Sequence, residues 1–166
     1  MNNHNHQSST SGDRAIWQQP EVIDWIQIVN QSYWRLFNKN LIEPVGTPAQ
    51  LSEQLFHAPF VLVSHDTQSD PIFNYANQTA LQLWSMSWSE FIQTPSASVT
   101  EPDEIADRAL MLQQAAEQGY IDNYQGIRTA TTGQKFRIER VRLWNLTDSA
   151  GQRCGQAATF PSWTWL

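Results

Sequence analysis

Residues 58–84, APFVLVSHDTQSDPIFNYANQTALQLW, carry a strand, a turn, a second strand and the start of a helix in immediate succession. Phe60-Val61-Leu62-Val63 is a short apolar run rich in β-branched side chains and bounded by Pro59, so it reads as a central strand. Asp66 to Pro71 is a polar turn, and Ile72-Phe73-Asn74-Tyr75 is a second strand folded back onto the first. Ala76, Ala80, Leu81 and Trp84 then take helical spacing. Asn77 stands where that helix begins, and its side-chain amide can accept a backbone N–H there and bond across to the neighbouring strand.

Upstream, Pro20 suits the first turn of a helix through EVIDWIQIVNQSYWRLF. Val22, Trp25, Ile26, Val29, Tyr33, Leu36 and Phe37 share one face of it, while Ile23, Ile28 and Trp34 lie off the stripe, so the helix can touch both its own core and a partner. Thr47-Pro48-Ala49-Gln50 opens a short helix through Phe56. Downstream, Ser87-Trp88-Ser89-Glu90 has the spacing of a capping box. A longer helix is expected from Asp103 to Gln118, with Ile105, Ala109, Leu112, Ala115 and Ala116 buried and Gly119 as its stop. Tyr120 to Thr131 and Lys135 to Asn145 flank the hairpin signal Thr132-Gly133-Gln134, and Arg153 to Phe160 follows a second turn. The expected fold is α+β: a five-stranded antiparallel sheet, small helices on one face, and an extra N-terminal helix. Residues 1–19 are expected to be a disordered tail, 20–56 a helical segment and 57–166 the sheet-bearing domain.

The chain has 166 residues, 40% of them hydrophobic, with 8 Trp, 7 Phe and 4 Tyr, enough for a packed or ligand-holding interior. Its net charge of -6 opposes capture of nucleic acid or of an anionic membrane. Cys154 is the single cysteine and cannot form an intrachain disulfide, and no apolar run reads as a signal peptide or a membrane span, so a cytoplasmic protein is expected. Met1 to Asp13 has no apolar residue after the Met, and its His4-Asn5-His6 string lacks the spread of ligands that nuclease metal chemistry needs.

The order strand, turn, strand and Asn-opened helix resembles the opening of a PAS sensor domain. The segments LFHAPFVLVSH and FNYANQTALQLW, together with YQGIRTATTGQKFRIERVRLWNLTDSAGQRCGQAATF, resemble the MEKHLA domain, a PAS-like module, over about Val22 to Trp165. That family occurs as stand-alone bacterial proteins and at the C-terminal end of plant homeodomain leucine-zipper transcription factors. The resemblance implies a PAS-like fold with a sensory or interaction role, and it brings no catalytic residues. Output is expected through self-association or a separate, unidentified effector protein, because no DNA-binding or zipper segment is read here.

No cofactor is expected. Haem-binding PAS domains use a His on the long helix before the third strand, and Asp103 to Gln118 has none. Light sensors that form a flavin adduct need a Cys in an Asn-Cys-Arg motif on a middle helix, whereas Cys154 falls on the last expected strand as a small core residue. The candidate pocket comprises Asn77, Trp84, Met86, Trp88, Phe91, Leu110, Arg140, Arg142 and Trp144, with Phe160 beside it. In KFRIERVRLWN, period-two alternation sets Phe136, Ile138, Arg140, Arg142 and Trp144 on one face, which would give a carboxylate ligand two guanidinium groups. A bulge near Glu139-Arg140 would instead turn Phe136, Ile138, Val141 and Leu143 inward and leave the arginines solvated. A homodimer is expected through Trp25, Val29, Tyr33 and Trp34, joined by Trp163 and Trp165 of the aromatic C-terminus. The other function class open to this chain is a small α+β enzyme acting on an apolar substrate, with His57, His65 and Asp66 as its nearest acid–base groups.

Overall fold

The computed structural model describes residues 14–44 and 46–166; His4-Asn5-His6 and the rest of residues 1–13 lie outside the described residues. Three of the helices start where the sequence supplies a side-chain cap. Helix α1 (Pro20–Phe37) has proline in its first turn and ends on Asn38, which takes left-handed φ 52 and donates its N–H to Trp34 O. Helix α2 (Pro48–Phe56) opens with a Thr47–Gln50 capping box. Strands β1 (Val61–His65) and β2 (Phe73–Ala76) are antiparallel and lead into α3 (Gln78–Trp84), capped by Asn77. Helix α4 (Trp88–Phe91) opens with the Ser87–Glu90 box, and α5 (Ile105–Gln118) stops at Gly119, whose φ of 97 a side chain would strain. Strands β3 (Tyr120–Thr129), β4 (Lys135–Thr147), β5 (Arg153–Phe160) and β6 (Ser162–Trp165) complete the fold.

The sheet is antiparallel in the order β2-β1-β5-β4-β3, and β6 makes it six-stranded by pairing with β4. The chain leaves β5 at Pro161 and re-pairs with the first half of β4, Phe136 opposite Trp165 and Glu139 opposite Ser162, while β5 holds the second half. Two aromatics of the C-terminus thereby become strand residues, not part of a loose tail. Trp165 rests edge-on to Phe136 at 5.3 Å and Trp163 to Phe160 at 6.4 Å.

Both faces of the sheet are covered, which is why all five residues of β1 are buried. Val61, Val63, Phe73, Ile138, Val141 and Phe160 face α3, α4 and the segment before α5. Leu62, Tyr75, Trp144, Leu146 and Ala157 face α1 and α2 through Val22, Ile26, Val29, Tyr33, Leu51 and Leu55. Each fully buried aliphatic of this size contributes about 1.5–3 kcal/mol, so α1 belongs to the core. Residues 14–19 are also built in, contrary to a tail reaching residue 19. Trp17 packs 5.0 Å from Phe56 and accepts a hydrogen bond at its carbonyl from Ser52 Oγ at 2.9 Å.

Paired bulges distort β3 and β4. Between Ile138 and Val141, β4 carries an extra residue relative to β3, and Arg140 takes φ 54; between Ile121 and Tyr124, β3 carries the compensating one, and Asn123 takes φ 57. The bulge anticipated near Glu139-Arg140 is therefore the arrangement adopted, with Phe136, Ile138, Val141 and Leu143 inward.

Candidate functional site

A cavity of about 60 Å³ lies between the inner face of the sheet and α5. Its walls are mostly apolar: Val63, Phe73, Trp84, Met111, Ile138, Val141, Leu143 and Phe160. Set into them are Arg108 and Arg128, each only 7% exposed. Arg108 comes from α5, whose inward stripe is Arg108, Met111 and Ala115. Relative to the stripe expected from the sequence, the helix is turned so that Ile105 and Ala109 face solvent and Leu112 is half-buried. Arg128 comes from β3, beyond the bulge.

The two guanidinium groups differ in their partners. Arg128 donates to Ile127 O at 2.9 Å, lies 3.6 Å from Glu104 Oε2, and sits over the Tyr124 ring at 5.9 Å. Arg108 donates through Nη2 to Ser96 Oγ and makes no salt bridge among the described residues. That hydroxyl is itself fixed by donating to Pro71 O at 3.2 Å. Burial, and then the Arg128 charge, pull the Arg108 pKa down to about 10, which leaves it a cation at neutral pH.

His65 closes the wall beside Arg108. Its Nδ1 lies 2.8 Å from Asp66 O, and a carbonyl can only accept, so Nδ1 carries the proton and Nε2 is a lone-pair acceptor. Burial pulls its pKa down to about 4, assisted by the charges of Arg108 and Arg153, so the imidazole is neutral at pH 7. Neither His65 Nε2 nor the Trp84 indole N–H has a partner among the described residues. Gln156, also in the wall, donates to Leu112 O at 3.3 Å and to Asn145 Oδ1 at 3.1 Å, tying β5 to α5. Outside lies an open cleft of about 360 Å³ between the β1–β2 turn and α5, and His65, Arg108, Leu112 and Gln156 line both spaces.

Of the residues expected in the pocket, Trp84 lines the cavity, while Phe91 stacks on Phe73 at 4.3 Å and Met86 packs behind it. Six others require correction. Asn77 accepts from Leu62 N and Ala80 N and donates to Leu55 O and Phe60 O, so backbone groups use every valence of its amide and none is free for a ligand. Leu110 is 56% exposed because α5 is turned. Trp88 packs edge-on to Tyr75 on the α1 side, 5.7 Å away. The β4 bulge that turns Arg142 outward turns Trp144 with it, since one slip exchanges the faces of all later residues. Trp144 is buried against Tyr33, with its indole N–H directed to Val29 O at 3.4 Å.

Arg140 and Arg142 do come together, but in an open groove on the outer surface. Arg142 holds Asp122 at 2.7 and 3.2 Å, donates to Tyr33 Oη at 2.8 Å and covers the Phe37 ring at 4.3 Å. Arg140 is exposed and donates to Ser162 Oγ at 3.0 Å. In the expected interface set, Val29 and Tyr33 are buried against the sheet of their own chain and are corrected to core. Trp25 is half-buried, its indole N–H donating to Ser64 Oγ at 2.9 Å, and Trp163 is half-buried on the inner core. Trp34 at 51% and Trp165 at 44% are exposed.

The family model described as the MEKHLA domain matches residues 23–165. No curated protein sequence matches the chain. Among solved structures, the PAS domain of a protein from Colwellia psychrerythraea is 18% identical with a TM-score of 0.59, the match covering 66% of this chain and 91% of that one. A light-oxygen-voltage domain studied with a flavin analogue is 18% identical with a TM-score of 0.55, covering 70% of this chain and 84% of that one. A PAS domain from a two-component sensor histidine kinase is 13% identical with a TM-score of 0.53, covering 69% of this chain and 91% of that one. At these identities the likeness carries the fold and nothing finer. Among the described residues, no helix is long and apolar enough to cross a membrane.

Proposed function

The chain belongs to the MEKHLA domain family and has the PAS-like fold, and from that premise we propose that it is a non-enzymatic sensory module that holds a small ligand in the α5 cavity and signals through self-association on the outer side of α1. The observation that carries this reading is the buried Arg108, without a salt bridge among the described residues, in a mostly apolar cavity. An apolar side chain would fill that space at lower cost, since an unpaired buried cation is expensive.

The cavity volume supports a small ligand. It lies below the roughly 300 Å³ at which pockets for drug-sized molecules begin, and a haem or flavin exceeds it several-fold. Cys154 is the extra residue at the β5 register shift and packs with the α1-side cluster, its thiol directed to Leu146 O at 3.6 Å. That placement of the single cysteine supports a reading without a photochemical flavin.

The path outward is short. On β1, His65 faces the cavity while its neighbour Ser64 faces α1, accepting from Trp25 and donating to Asn74 Oδ1 at 2.6 Å. A change in the cavity wall that shifts β1 reaches α1 across one peptide unit. Native and denaturing mass spectra of protein purified from cells test both halves of the proposal. A dimer with a reproducible added mass is the expected result, and a bare monomer would contradict it.

A further inference from the structure

We infer that the cavity takes a short 2-hydroxycarboxylate, its anion on Arg108 and its hydroxyl on His65; this rests on the sensory reading above and gives the ligand its chemistry. A volume of about 60 Å³ holds roughly four to six water-sized groups at 10–15 Å³ each. That matches an acid of three carbons. The polar groups on offer are of two kinds. Arg108 and the Trp84 indole supply donors with no carboxylate among the described residues to receive them, and a carboxylate is the small acceptor that a guanidinium holds best. His65 Nε2 supplies a lone pair, which repels a carboxylate oxygen and suits a hydroxyl proton. Arg108 and His65 stand side by side, sharing walls with both the cavity and the outer cleft.

Charge balance points the same way. Glu104 lies 3.6 Å from Arg128, whereas Arg108 has no carboxylate in contact among the described residues and feels Asp70 only at longer range, so a single negative charge in the cavity completes the pair. The apolar remainder of the wall favours an anion with a short carbon body over a fully hydrated one such as phosphate. Leu112 is a half-buried side chain shared by cavity and cleft.

Calorimetric titration of the full chain at pH 7 with lactate, propionate, lactamide and inorganic phosphate tests this, with native mass spectra of the protein as purified. Lactate should bind about tenfold or more tightly than lactamide, the loss expected for one charge-assisted bond. It should also exceed propionate and phosphate, and R108Q should remove the difference between lactate and lactamide. Equal binding of lactamide overturns the anion assignment on the wild-type protein, whether or not R108Q folds. Equal binding of propionate overturns the His65 assignment, and equal binding of phosphate overturns the carboxylate class. A retained neutral compound of similar size overturns the ligand class and leaves the sensory reading standing. No retained compound together with no binding by any probe overturns both.

Discussion

Arg142 and Arg108 lie on opposite sides of one sheet and are held in opposite ways. On the α1 side, Arg142 has a bidentate carboxylate in Asp122, a hydroxyl in Tyr33 and an aromatic face in Phe37. On the α5 side, Arg108 is more deeply buried and has one serine hydroxyl. A cation whose charge is met by a carboxylate and whose three donor nitrogens all have partners joins two elements. One that is dehydrated and left without an anion leaves recognition chemistry unspent, and this is why the outer face reads as a structural joint and the inner one as a site.

The largest test of the contrast is on the joint. Trp144→Ala empties a fully buried site between β4 and α1 and should cost about 3–5 kcal/mol in urea denaturation. A loss below about 1 kcal/mol would mean that α1 is only loosely docked.

Next comes the pH dependence of the inner wall. His65 has a folded pKa of about 4 against 6.5 unfolded, so between those values the unfolded chain binds the additional proton. Stability is thus complete above about pH 6.5 and falls as pH drops toward 4, by up to about 3 kcal/mol from this group. Arg108 and Arg153 oppose the protonation and Asp66 favours it. His65→Gln should flatten the profile by that amount relative to wild type, and parallel wild-type and variant curves would remove His65 from the buried wall.

The sharpest comparison is of sign. Arg142→Met strands Asp122 and Tyr33 in a half-exposed cluster and should destabilise by about 1 kcal/mol. Arg108→Met removes an unpaired buried charge and should be neutral or stabilising by about the same amount. Thermal melts of the two variants decide it, and two losses of equal size would erase the distinction.

The smallest effect on stability belongs to the exposed side of α1. Trp34→Glu should change it by less than about 0.5 kcal/mol while converting a dimer to monomer in light scattering. A dimer that survives would move the contact elsewhere. Val29→Glu cannot serve, because it would place a charge in the core beneath α1.

The sequence made most of the frame legible where a local rule has one outcome. Thr47, Asn77 and Ser87 cap the helices their spacing indicates, and Gly119 ends α5. The bulge at Arg140 was readable because the alternative buries two arginines, although the same slip also carries Trp144 to the outer face. Strand β6 was not legible, since its pairing with Phe136 to Glu139 depends on β5 leaving β4 at the bulge. The site was missed for a related reason. Ile105, Ala109, Leu112 and Ala116 form a plausible apolar stripe, and nothing local indicates that α5 turns Arg108 inward instead. The available signal was the spacing of Arg108, Met111 and Ala115, which fits one helical face once an arginine is admitted to the interior.

Urea denaturation of the wild-type protein and Arg108→Met, each with and without lactate, tests the central claim most directly. The expected result is that Arg108→Met is at least as stable as wild type in the absence of lactate, and that lactate stabilises wild type alone. If Arg108→Met instead costs several kcal/mol without lactate and lactate stabilises neither protein, Arg108 is a structural residue and the cavity is not a ligand site.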